Sequence, residues 1–145
     1  SVVLDGARHA VADVRIDAQG PFDARGKLVS VGRDAAWLRL VAPAAIEPVP
    51  YGGRQAARLA FALDEPLVKI GFARGLRRTD PGCTITDLAM TGEAFSFTCP
   101  GGGGHGRSGS ALLLAVAEGY QVVATQSAEA RGDDVVRGIA VVPEP

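Results

Sequence analysis

The sequence predicts an all-β fold, an antiparallel barrel or sandwich assembled from hairpins. Three observations carry that prediction. Short apolar runs recur along the 145 residues, separated by turn-forming residues. Hydrophobic residues make up 47% of the chain, enough to fill a core, which sets disorder aside. The runs are regularly spaced, as in barrels and sandwiches, and none is long enough to span a membrane.

In chain order, Ser1–Leu4 and Val11–Ile16 flank the turn signal Asp5-Gly6. Lys27–Val31 and Trp37–Val41 flank Gly32-Arg33-Asp34. Ala42–Gly53 holds three prolines and a Gly-Gly pair, so it reads as a linker or long loop. Ala57–Leu63 and Leu67–Phe72 flank Asp64-Glu65-Pro66, and this pair is expected to be a hairpin. Cys83–Leu88 and Ala94–Cys99 flank Thr91-Gly92. Pro100–Ser110 is glycine-rich and reads as a loop. Ser110–Gly119 suits a helix as well as a strand. Tyr120–Thr125 and Val135–Val142 complete the series. The division expected is an N-terminal β region over 1–49 and a barrel over 50–145. Gly26–Leu40 lays over Cys83–Phe97 in apolar pattern without a gap, so the first region reads as a partial second copy or as an arm.

The formal net charge is −1, which offers no global attraction to nucleic acid or acidic lipid. Nearly all the basic residues are Arg, with only Lys27 and Lys69 as exceptions. No Cys-x-x-Cys pair is present, and His9 and His105 are far apart, so no metal site is expected. With no signal peptide recognisable, the default expectation is a cytoplasmic protein.

Two short motifs stand in the second half. Arg54-Gln55-Ala56-Ala57-Arg58 is an RxxxR that follows Tyr51-Gly52-Gly53. Asp87-Leu88-Ala89-Met90-Thr91-Gly92 lies one hairpin later, at a turn. In this order the motifs resemble those of the PilZ domain, a family of bacterial receptors for cyclic di-GMP. That family carries RxxxR before its first barrel strand and a [D/N]xSxxG motif downstream. The resemblance spans about residues 50–142, with Asp133–Val142 standing where the barrel closes. It implies a β-barrel, a signalling role without catalysis, cyclic di-GMP as the ligand, no other cofactor and a protein partner downstream.

The chemistry suits the residues. Cyclic di-GMP presents two phosphates and two guanines. A guanidinium fork binds phosphate at two points, matches the O6/N7 edge of guanine and stacks on a base. The resemblance assigns these tasks to Arg54 and Arg58, on a flexible segment that orders over the ligand. It makes Asp87 an acceptor for guanine or an orienter of Arg, and Gly92 a point of close backbone approach. Ala89 replaces the family's Ser, and the missing hydroxyl costs about tenfold in affinity at most.

Other signals compete with this reading. Arg74-Gly75-Leu76-Arg77-Arg78 contains a second RxxxR, which shows how readily that spacing arises. Gly104-His105-Gly106-Arg107-Ser108-Gly109 is a GxGxxG between an apolar run and a possible helix, the order of a dinucleotide-binding turn. It begins too near the end of the sequence for a full dinucleotide domain, and the bland reading is a loop. Cys83 and Cys99 sit at opposite ends of one expected hairpin. They are packed thiols in a reducing compartment, or a cross-strand disulfide in an exported, pilin-like sandwich acting in protein–protein interaction. Trp37, Phe61, Phe72, Phe95 and Phe97 are expected to pack in the core. No catalytic triad or carboxylate pair is recognisable, so no enzymatic activity is expected.

Overall fold

The computed structural model describes residues 1–16, 34–101, 107–131 and 134–145. Two small sheets come first. β1 (Val2–Leu4) pairs with β2 (Ala7–His9) across Asp5 and Gly6, both at positive φ, as a two-residue turn requires. The turn is the expected one, but its second strand is Ala7–His9 rather than Val11–Ile16. β3 (Val11–Ile16) instead pairs with β4 (Ala36–Leu40). The expected strand Lys27–Val31, Gly32 and Arg33 of its turn, and most of the overlaid Gly26–Leu40 segment lie outside the described residues.

After β4 come an irregular stretch and then α1 (Gly53–Ala62). This corrects the expected strand at Ala57–Leu63. Ala, Arg, Gln and Leu are good helix formers. Ala56, Ala57 and Ala60 lie on one helical face and are buried in the core. Asp64, at positive φ, follows the helix, so Asp64-Glu65-Pro66 ends α1 instead of turning a hairpin.

The rest is a closed barrel. Its strands are β5 (Leu67–Ala73), β6 (Leu76–Leu88), β7 (Ala94–Pro100), β8 (Ala111–Val116), β9 (Gly119–Arg131) and β10 (Val135–Val141). They run in the order β10-β7-β6-β5-β8-β9, and every pairing is antiparallel. The fold is therefore an antiparallel β-barrel with additional N-terminal hairpins, as the patterning predicts. Ser110–Gly119 resolves as strand β8 and its turn, so no crossover helix follows the glycine loop and the dinucleotide reading loses its helix. Closure falls to β10, which pairs with both β7 and β9.

In β7, Phe95, Phe97 and Cys99 face inward while Ser96 and Thr98 face outward, the period of two that places a strand on a core. Gly138 lies opposite Phe97, and a side chain there would overlap the Phe97 ring. Phe95 and Phe97 are buried as expected. Phe61 and Phe72 are not: they are 43% and 62% exposed, one on the outer face of α1 and the other near the β5–β6 turn. Cys83 and Cys99 are joined by a disulfide between β6 and β7, inside the core.

α1 packs against β6 and β9, and its alanines join the barrel core. Small side chains let the helix backbone come close to the strands. Charge is buried as well. Lys69 on β5 is only 1% exposed, with Nζ 3.0 Å from Glu129 Oε2 and 3.5 Å from Asp80 Oδ2. Arg107 Nη2 lies 2.7 Å from the same Asp80 oxygen. Gln126 Nε2 donates to Glu129 Oε2 at 3.1 Å.

Candidate functional site

The approach to α1 is fixed before the helix starts. Gly52 N–H donates to Val122 O at 2.9 Å, and Val122 N–H donates to Pro50 O at 2.7 Å, tying residues 50–52 to β9. Arg54 and Arg58 then stand one helical turn apart, so they share a face of α1. That face meets the β6–β7 turn. Arg58 Nη2 donates to Thr91 O at 3.3 Å and lies 3.5 Å from Met90 O.

Gly92 occupies this turn at φ +74°, and a Cβ there would lie 3.4 Å from both Arg54 Cβ and Arg58 Nε. The glycine meets a left-handed backbone requirement and keeps the arginines close to the turn. Gly92 N–H closes the turn on Ala89 O at 2.8 Å. Arg54, Arg58, Ala89 and Gly92 therefore share one rim of the barrel. Asp87 lies on β6 just before this turn, after a bulge, opposite Ser96. It is exposed, and among the described residues it forms no ion pair with either arginine. Ser96 leads from Asp87 into an apolar groove of about 590 Å³ on the outer barrel face, lined by Thr86, Ser96, Thr98, Ala128, Arg137 and Ile139 among others.

The arginines stand on a helix, and α1 is anchored in the core by Ala56, Ala57 and Ala60.

Arg54 already has a partner. Its Nη1 is 2.9 Å from Glu144 Oε1, while its Nε is buried and, among the described residues, has no hydrogen-bond partner. The 143–145 segment is held at further points. Arg15 Nη2 donates to Glu144 O at 2.7 Å, and Tyr51 O–H donates to Pro143 O. Tyr51 meets Trp37 edge to face, and Arg15 lies over the Trp37 ring. Sequence reasoning missed Glu144 altogether. For Tyr51 the available signal was its place beside Gly52-Gly53, directly before the arginines.

Tyr51 has its pKa raised to about 12. Partial burial is the main cause; the nearby Arg54 lowers it, and Glu144 raises it again. A folded-state pKa above the unfolded value of 10 means the native state binds this proton more tightly. Stability is expected to fall as pH rises through 10 to 12, and Tyr51→Phe should flatten that decline. Urea unfolding at stepped alkaline pH checks it, and equal slopes for the two proteins would rule Tyr51 out as the cause.

The two guanidinium groups offer several donors to anions and to edge acceptors. Among the described residues, no group of three or more His, Cys, Asp or Glu side chains could hold a metal ion. His105 lies outside the described residues. Among the described residues, no helix is long and apolar enough to cross a membrane. Compared with models of known protein families and with curated protein sequences, the chain matches none.

Proposed function

We propose that this chain is a PilZ-like receptor module that binds cyclic di-GMP at the rim formed by α1 and the β6–β7 turn. One observation carries the reading: Arg54 and Arg58, from one motif, pack on Gly92 of the other, on a closed barrel. Two guanidinium groups on one face suit a ligand with two phosphates and two guanine edges. Asp87 and the Ser96 end of the groove would take a guanine. Ala89 brings no hydroxyl, so affinity is lower than with Ser by about tenfold at most. The module would act by signalling to a partner protein, without catalysis and without another cofactor, in bacterial regulation of the kind served by cyclic di-GMP.

Calorimetry of the intact chain with cyclic di-GMP tests this. Arg58→Ala is expected to weaken binding by roughly 10- to 150-fold, the worth of charge-assisted hydrogen bonds. Arg78→Ala should leave binding unchanged. Absence of heat at high micromolar ligand would refute the reading.

The Cys83–Cys99 disulfide favours a second reading. Disulfides persist chiefly in oxidising compartments. There, the same barrel would serve as an exported interaction domain, and Arg54–Glu144 would be a surface ion pair. Thiol titration of denatured protein isolated under alkylating conditions separates the two locations. Free thiols support the cytoplasm, and their absence supports export.

A further inference from the structure

The β5–β6 hairpin reaches beyond the barrel. β8 pairs with β5 only over Leu67–Ile70, and β7 pairs with β6 only over Thr84–Leu88. The stretch Gly71–Thr79 is thus a two-stranded ribbon, paired Gly71 with Arg78, Phe72 with Arg77 and Ala73 with Leu76. Arg74 and Gly75 form its tip, both at positive φ, the geometry of a tight hairpin turn.

The ribbon's composition is unusual for an exposed edge. Phe72 is 62% exposed and Leu76 64%. Arg74, Arg77 and Arg78 are also exposed, no acidic residue lies between Gly71 and Thr79, and none of the three enters an ion pair among the described residues. Directly opposed residues share a face of a sheet, so Phe72 and Arg77 lie on one face. Alternation puts Leu76 and Arg78 together on the other. Each face thus carries one large apolar side chain and one guanidinium at similar depth from the tip.

We propose that this hairpin is a docking element for bilayers rich in anionic phospholipid. A ribbon lying in a nucleic-acid or protein groove presents unlike faces to its partner and to water. A tip entering a headgroup layer is surrounded evenly, which matches two equivalent faces. Phe72 and Leu76 reach the acyl boundary, and the arginines bind lipid phosphates from their forked donors. Each cation near an anionic surface is worth about 1 kcal/mol, or roughly fivefold in binding. The near-neutral net charge leaves this local patch as the source of attraction.

Flotation of the intact chain with phosphatidylglycerol–phosphatidylcholine vesicles tests the proposal. The chain is expected to float with these vesicles and not with pure phosphatidylcholine. Arg77→Ser/Arg78→Ser should weaken binding about 25-fold, and Phe72→Ser/Leu76→Ser should also release it. Unchanged thermal unfolding of both variants would confirm that their folds are intact. Equal binding to neutral vesicles, no flotation at low salt, or unchanged binding by the folded variants would overturn the proposal. So would retention on a double-stranded oligonucleotide under conditions where vesicles fail to bind. Cyclic di-GMP binding by the variants is a separate measurement, because this hairpin stands apart from the proposed nucleotide site.

Discussion

Lys69→Met is expected to lower the stability of the fold by about 3–5 kcal/mol, the usual cost of removing one partner from a buried ion pair. Met keeps much of the stem's volume, so the loss comes from charge rather than from a cavity. Nζ faces Glu129 at 3.0 Å and Asp80 at 3.5 Å, with the Phe97 ring centroid 5.7 Å away. Asp80 keeps Arg107 after the change, but the cluster loses one of its two cations. Removing both charges should cost far less. In Lys69→Met/Glu129→Gln, the amide oxygen can still accept from Gln126 Nε2. The double variant should recover a large share of the loss, with a coupling of about 1–3 kcal/mol. Urea midpoints for the two single variants and the double variant give this cycle directly. A single-variant cost below about 1 kcal/mol would show that the ammonium contributes little beyond its packing.

The disulfide gives the second large effect. Cys83 and Cys99 are 16 residues apart, and closing a loop of that size restricts the unfolded chain by about 3 kcal/mol. Cys83→Ala/Cys99→Ala should lose about that amount, with a further loss for the vacated core volume. The melting temperature should drop by roughly 6–12 °C. Scanning calorimetry of the variant beside the oxidised protein measures the drop. A shift of only a degree or two would mean that the loop is already restricted when the chain is unfolded.

How much of this was legible in sequence differs from element to element. β7 was clear because Phe95, Phe97 and Cys99 alternate with Ser96 and Thr98. α1 was not. Its buried face is made of alanines, while Leu59, Phe61 and Leu63 at its end point to solvent. Counting large apolar residues therefore selects the wrong face and favours a strand. The RxxxR spacing was visible, but its meaning depends on secondary structure. Arg54 and Arg58 share a helix face, whereas Arg74 sits in the turn of a hairpin and Arg78 on its second strand. Lys69 in a strand reads as an outward polar position, and only barrel closure shows that Asp80 and Glu129 meet it inside. Glu144 was out of reach, because nothing local links it to Arg54. The Phe72 error has the same root: strand periodicity does not reveal where a strand leaves the sheet.

The Arg54–Glu144 pair changes what an arriving anion encounters. The chain supplies its own counter-ion, so contact with Arg54 is a substitution of one negative group for another. The pair is exposed enough to be worth about 1 kcal/mol or less, so it yields readily to a doubly charged competitor. Yet Glu144 belongs to a segment that also touches Arg15 and Tyr51, and through them Trp37. If cyclic di-GMP binds as proposed, displacing Glu144 would release a segment that also touches Arg15 on β3 and, through Tyr51, Trp37 on β4.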